Sequence, residues 1–274
     1  NILILGGNSI SASNEPLYVI DGFIGAGDLN LIDPNDIESI EILKDAAATS
    51  IYGSRGANGV IIVTTKRGSE GRNDVTVNAY VGVQQIAKRL EMLNAREYAV
   101  MLNQQDVLSN QEPSIENPSV YGKGTDWQDE ILRLAFMQNY QVAASGGNKD
   151  GRYYLSLSMF DQDGVIKNSG IRRYQTRLNL DRKMRHNINI GANFQFSYTQ
   201  REPNLVSLGG FDYQSSALAT PPTMNIYNED GSYASDSPSR VVSNDIDNVV
   251  AQLNERKKQE KAASIYAGIF AEWE

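Results

Sequence analysis

The 274-residue chain carries 25 basic and 33 acidic side chains, a net charge of −8, no cysteine and a single histidine, His186. That balance disfavours nucleic acid as a partner, because phosphates demand a basic face, and the missing thiols exclude a disulfide framework, a thiolate metal site and a cysteine nucleophile. No stretch approaches the ~20 apolar residues of a membrane-spanning helix, whereas the alternating strands of a membrane barrel keep hydropathy low and stay open as a reading.

The chain begins "NILIL", four apolar residues without the basic flank of a signal peptide. From position 37 it reads "IESIEILKDAAATSIYGSRGANGVIIVTTKRG". Ile37 to Leu43 predict a strand, Asp45 an N-cap for the helix-favouring Ala46, Ala47 and Ala48, and Gly53 a stop for that turn. Gly53, Gly56 and Gly59 suggest a phosphate-binding loop, but the order is wrong. Such a loop needs a helix after its last glycine, and here Val60 to Val63 predict a strand. The spacing also misses the dinucleotide fingerprint. A compact bend joining two strands fits the glycines better.

Beyond position 73 the apolar period is two. Strands are predicted over 75–84, 140–146, 153–160, 174–181, 188–198 and 264–273. In 188–198, Ile188, Ile190, Ala192, Phe194, Phe196 and Tyr198 share one face, and Asn189, Gly191, Asn193, Gln195 and Ser197 the other. Tyr140, Tyr153, Tyr174, Tyr198 and Trp273 stand at strand ends on the apolar face, where the aromatic girdles of a membrane barrel belong. The connections run long, short, medium, short, long, the rhythm of outer-membrane barrels with long outer loops. The apolar face is expected toward lipid, and Asn193, on the other face, is expected to tolerate substitution. Six strands cannot enclose a plugged lumen, which needs about 22, so the chain reads as the front part of a longer protein.

Other clusters carry less. His186 lies in the polar "DRKMRHN" and reads as a solvated turn residue. Asp161 and Asp163 in "FDQDG" invite calcium, but Arg172 stands where an EF-hand loop needs its last glutamate. Asp126, Asp129 and Glu130 beside Trp127 could suggest glycoside hydrolysis, yet one local cluster on a loop is weak, and Trp127 is expected to pack on a barrel rim. No catalytic group, cofactor or metal ligand is assigned.

The stretches "GGNSISASNEPLYVIDG" (6–22), "DPNDIESIEILKDAAATSIYGSRGANGVIIVTTKRG" (33–68), "TDWQDEI" (125–131), "SGG" (145–147), "FDQDGVIKNSGIRRY" (160–174) and "ATPPTMNIYNEDGSY" (219–233) occur in an order that resembles the SusC/RagA-like TonB-dependent transporters. Leu5 departs from the arginine common in that family's plugs. The resemblance implies an all-β transmembrane barrel of about 22 strands with a small α/β plug, divided here as plug over 1–72 and barrel over 73–274. It implies import of a bulky oligosaccharide or peptide across the bacterial outer membrane, with a SusD-like lipoprotein as partner and TonB as the source of energy. Asp21, Gly22, Glu41, Lys44, Asp45, Gly53, Gly56 and Gly59 then form the plug motif, and Glu41, Lys44 and Arg55 are candidates to pair with the lumen wall. Tyr52, Arg55 and Asn58 are candidate substrate contacts at the plug apex. The competing expectation is a surface β-rich, carbohydrate-binding adhesin that transports nothing.

Overall fold

The structure, a computed structural model, describes residues 15–24, 29, 32–184, 188–203, 213–234 and 248–273. Leu5, residues 6–14 of the first quoted motif and His186 lie outside the described residues.

Two sheets make up the fold. The smaller contains β1 (Leu17–Ile20), β2 (Phe23–Ile24), β3 (Ile37–Leu43) and β4 (Val60–Thr65) in the order β2-β1-β4-β3. Asp21 and Gly22 join β1 to β2 with φ of 49° and 86°. Positive φ at both central residues is what a tight two-residue hairpin requires, and Asp-Gly supplies it at little strain. β1 runs parallel to β4, and Ile20, Ile61 and Val63 bury one face of the pair together with Ile32.

The connection from β3 to β4 explains the glycines. Asp45 caps helix α1 (Ala46–Thr49), its Oδ1 accepting from the Ala48 N–H at 2.8 Å. A 3-10 turn over Ser50–Gly56 follows and is kinked at Gly53, whose φ is 59°. A Cβ on Gly56 would stand 2.9 Å from the Thr49 carbonyl oxygen, so only glycine fits there. Gly59, with φ of 93°, turns the chain into β4.

The larger sheet is an antiparallel meander of β5 (Asn73–Gln84), β6 (Ala135–Asn148), β7 (Gly151–Asp163), β8 (Gly170–Met184), β9 (Ile188–Glu202) and β10 (Glu260–Trp273). Its burial is inverted relative to a water-soluble sheet. Val142, Leu157 and Ile265 are 49%, 53% and 65% exposed, while Gln141, Ser156 and Asn179 are 2%, 1% and 1% exposed. The apolar face points away from the small sheet and the amide-and-hydroxyl face toward it, as a barrel wall with lipid outside and a polar lumen inside requires.

Register gives the strand tilt. Ala79, the centre of the outward apolar run 75–83 on β5, is linked rung by rung through Tyr140, Met159, Tyr174 and Tyr198 to Ala263 on β10. The apolar run on β10 centres six residues further on, at Ile269. Six residues at about 3.3 Å against five strand spacings of about 4.8 Å set the apolar band at roughly 40° to the rungs, within the range of closed membrane barrels.

The two long connections fold on the same end of the wall. The first carries α2 (Ala95–Leu108), opened by a reciprocal Asn94–Glu97 capping box, and α3 (Trp127–Ile131). The second carries α4 (Tyr213–Ala219) and α5 (Val249–Glu255). Trp127, Ile131, Ile166, Tyr213, Met224 and Val249 pack into one apolar core between these connections. Trp127 thus lies inside a loop cap rather than on a rim, its indole N–H donating to the Pro221 carbonyl at 2.9 Å. Two of the three carboxylates beside it have structural partners: Asp126 caps α3, and Asp129 pairs with Arg89 at 2.7 Å. Asp161 pairs with Arg172 at 2.8 Å and Asp163 with Arg133 at 3.2 Å, which accounts for both carboxylates of the "FDQDG" motif.

Candidate functional site

The small sheet rests on the inner face of the wall, and buried polar groups make the contact. Asp33 caps a 3-10 turn over Pro34–Asp36, accepting from the Asn35 N–H at 2.9 Å, and the turn drives Asp36 into the wall. There Asp36 accepts from Gln141 Nε2 at 2.6 Å, the Tyr154 hydroxyl at 2.8 Å and the Ser156 hydroxyl at 2.8 Å. Asp21 binds its own sheet first, accepting from the Thr65 N–H at 2.8 Å and the Thr65 hydroxyl at 2.7 Å. Its second oxygen also faces Arg177 Nη1 at 3.3 Å, and Arg177 Nε lies 3.8 Å from Asp36. Arg177 donates further to Gln195. Asn179 Nδ2 completes the contact, donating at 2.9 Å to both the Thr65 hydroxyl and the Lys66 carbonyl.

One guanidinium of the wall therefore serves two carboxylates of the small sheet, and all three side chains are at most 4% exposed. Burial pushes the Asp36 carboxyl above the ordinary carboxylate range; the hydrogen bonds from Tyr154 and Ser156 and the charge of Arg177 oppose the rise, and Asp33 adds to it. A carboxyl that titrates higher when docked than when solvated takes up a proton on docking. Its contribution to docking is complete below the solvated pKa of about 3.9 and fades as pH rises through the docked value.

The wall is built for this contact in horizontal rungs. Thr76, Ala143, Ser156, Arg177, Gln195 and Tyr266 form one. Asn78, Gln141, Ser158, Gln175, Ser197 and Ser264 form the next toward the long loops, uncharged and able to hydrogen-bond throughout. Among the described residues no group of three or more His, Asp or Glu side chains could hold a metal ion. The arrangement holds two bodies together by exchangeable polar bonds; it does not converge on a reacting atom.

Of the sequence-derived residues, Asp21 and Gly22 form the hairpin at this contact, and Asp45, Gly53, Gly56 and Gly59 shape the β3–β4 connection. Glu41, Lys44 and Arg55 are exposed, and among the described residues the ion pairs to the wall come instead from Asp21, Asp36 and Arg67. Tyr52 and Asn58 are half-buried, with Asn58 Nδ2 3.5 Å from the Glu15 carbonyl. Asn193, expected to tolerate change, is 8% exposed and accepts from Arg67 at 3.3 Å, because the small sheet covers that part of the inner face. Asp36 escaped sequence reasoning; its signal was the Asp-Pro-Asn turn start that aims the next aspartate inward.

Residues 1–60 match the family model of the TonB-dependent Receptor Plug Domain. The chain is 40% identical over 275 residues to TonB-dependent receptor P26 of Formosa agariphila, covering 97% of this chain and 27% of that protein. It is 36% identical over 244 residues to TonB-dependent receptor SusC of Bacteroides thetaiotaomicron, covering 85% of this chain and 23% of that one. Among solved structures, the RagAB peptide importer in its closed-closed state superposes with a TM-score of 0.79 at 25% identity, covering 100% of this chain and 34% of that chain. The chain spans about a quarter of the length of the curated relatives it matches.

Proposed function

The chain belongs to the SusC/RagA-like TonB-dependent receptors, and from that premise we propose that it forms the gated part of an importer carrying a bulky nutrient across the bacterial outer membrane. The observation that carries this reading is the docking of the small sheet through Asp21, Asp36 and Arg177 onto the polar face of a wall whose other face is apolar. A wall with its apolar face outward belongs in lipid. A body held inside it by polar bonds can leave and return, because water replaces each bond it breaks. The adhesin reading explains neither the inverted wall nor the docked sheet.

In this proposal residues 1–72 are the plug and 73–274 the start of the barrel. β4 runs toward the short-turn, periplasmic end, so Tyr52, Arg55 and Asn58, which precede it, sit at the plug's outer apex and are positioned to meet an oligosaccharide or peptide. Arg55 is exposed there. Energy comes from TonB, and a SusD-like lipoprotein delivers cargo at the face built by the long loops. The protein acts on its cargo by transport, without chemical turnover. The test is uptake of the cognate nutrient by cells expressing the full-length receptor, with and without the TonB system. Uptake should require TonB; equal uptake in both would overturn the proposal.

A further inference from the structure

The segment that leaves β4 for β5, residues 66–72, is attached to the wall differently from the sheet before it. Arg67 reaches three wall strands. Its guanidinium pairs with Asp181 of β8, donates to Asn193 Oδ1 of β9 at 3.3 Å, and lies 5.3 Å from the ring centroid of Phe270 on β10. Asp181 is held in turn by Arg152 of β7 at 3.6 Å. Phe270 is an aromatic residue on the inner, otherwise polar face of β10, and its seat is prepared: a Cβ on Gly191 would fall 2.1 Å from the ring. The Arg67 guanidinium stands over this ring, an arrangement that favours a cation.

The next residues bind by backbone. A Cβ on Gly68 would come within 2.3 Å of the Gly146 carbonyl and 2.4 Å of the Tyr153 carbonyl, so only glycine lets the segment lie on β6 and β7. The Gly71 N–H donates to the Gly147 carbonyl at 3.0 Å, and the Gly147 N–H donates to the Arg72 carbonyl at 3.2 Å. Upstream of Arg67, the contacts from Asp21, Asp36 and Thr65 to the wall engage side chains alone, and the Lys66 carbonyl accepts from the Asn179 side chain. Among the described residues, the backbone–backbone hydrogen bonds between the small-sheet side and the wall outside the β5–β6 pairing are those at Gly71 and Arg72.

We propose that Arg67, seated on Asp181, Asn193 and Phe270, is a mechanical stop: the sheet before it detaches from the wall during transport, and the segment from Arg67 onward stays fixed. This rests on the gated-import reading. A stop at this point limits how much of the gate is drawn out and leaves the return path anchored.

The test uses the full-length receptor in its outer membrane, with susceptibility to a glycopeptide antibiotic too large for general porins as the readout of an unsealed lumen. Energy-dependent uptake by the unaltered receptor is measured alongside. Arg67→Ala should raise susceptibility several-fold in cells with a working TonB system and leave it unchanged in cells without one, because the gate is overdrawn only under load. Phe270→Leu, which removes the stacking alone, should give a smaller rise with the same dependence. Arg177→Met, upstream of the stop, should raise susceptibility in both backgrounds. A silent Arg67→Ala, or an equal rise with and without TonB, overturns the stop while leaving import standing. Absence of TonB-dependent uptake by the unaltered receptor overturns both. If Arg67→Ala fails to accumulate in the membrane, Phe270→Leu decides by the same criteria.

Discussion

Arg177→Met is the most informative single change. It removes the guanidinium that faces both Asp21 and Asp36, whose side chains are 3% and 4% exposed. Taking away one partner of a buried ion pair typically costs about 3–5 kcal/mol, because the charge left behind is neither solvated nor paired. At 1.4 kcal/mol per tenfold, that is roughly a hundred- to a few-thousandfold increase in the detached population. Asp36→Asn should cost less, about 1–2 kcal/mol, since the amide oxygen can still accept and the Ser156 hydroxyl can rotate to accept from the new N–H. Adding Asp21→Asn and Asp36→Asn to Arg177→Met should recover much of the loss, because no unpaired charge remains. Amide hydrogen exchange in β1 and β4 of the full-length receptor reads the opening free energy directly. A cost below about 1 kcal/mol for Arg177→Met, or a triple variant whose losses merely add, would refute the assignment of these groups as one unit.

Phe194→Arg, on the outward face of β9, should cost about 2–4 kcal/mol near the bilayer midplane, and Lys261→Glu, beyond the apolar run of β10, under about 0.5 kcal/mol. Equal shifts in urea midpoint would contradict the face assignment. Opening of β1 and β4, measured by exchange, should become rarer as pH falls toward the solvated carboxyl value of about 3.9 in the unaltered receptor and show a flatter dependence in Asp36→Asn, in the direction that the raised Asp36 pKa gives. A steeper acid loss of docking would refute that sign. Trp127→Ala should destabilise the loop cap by about 3–5 kcal/mol, read as protease sensitivity of 85–134 with the wall strands still protected. Unchanged sensitivity would mean that the cap does not depend on its core.

Period and chemistry together made the wall legible. Alternation alone fits any antiparallel sheet, but tyrosines at the ends of the apolar runs, with amides and serines opposite, fixed which face would be inside before any contact was known. The six strands lie where the period of two placed them, extended at their ends by several residues: β6 begins at Ala135, ahead of the uncharged Phe136, Met137, Gln138 and Asn139, and β7 runs on to Asp163 through the charged Asp161 and Asp163, where the alternation fades. The cap at Asp45 was legible for a local reason, since it depends on a residue three positions away. The docking contact was not. Asp36 meets Tyr154 across 118 positions, and Arg67 meets Asp181 across 114, and no local pattern records such meetings. Gly68, Gly191 and Phe270 are intelligible only as a set, because each is shaped to something another segment brings to it.

The same asymmetry that makes this contact sensitive to mutation makes it suitable for opening. A variant that loses Arg177 keeps two buried carboxylates without their counter-charge, and nothing in the docked state can hydrate them. When the whole sheet departs, Asp21, Asp36 and Arg177 enter water together with Gln141, Tyr154, Ser156 and Asn179, and each partner is re-solvated at once. Exchange of protein–protein for protein–water hydrogen bonds is nearly balanced, about 0.5–1.5 kcal/mol per bond, and an intact buried ion pair is close to break-even against its own desolvation. An apolar interface would behave in the opposite way, tolerating individual substitutions while resisting separation in proportion to its area. The uncharged rung of Asn78, Gln141, Ser158, Gln175, Ser197 and Ser264 fits the same logic. It offers hydrogen bonds to whatever stands before it, sheet or water, and no fixed charge to trap either.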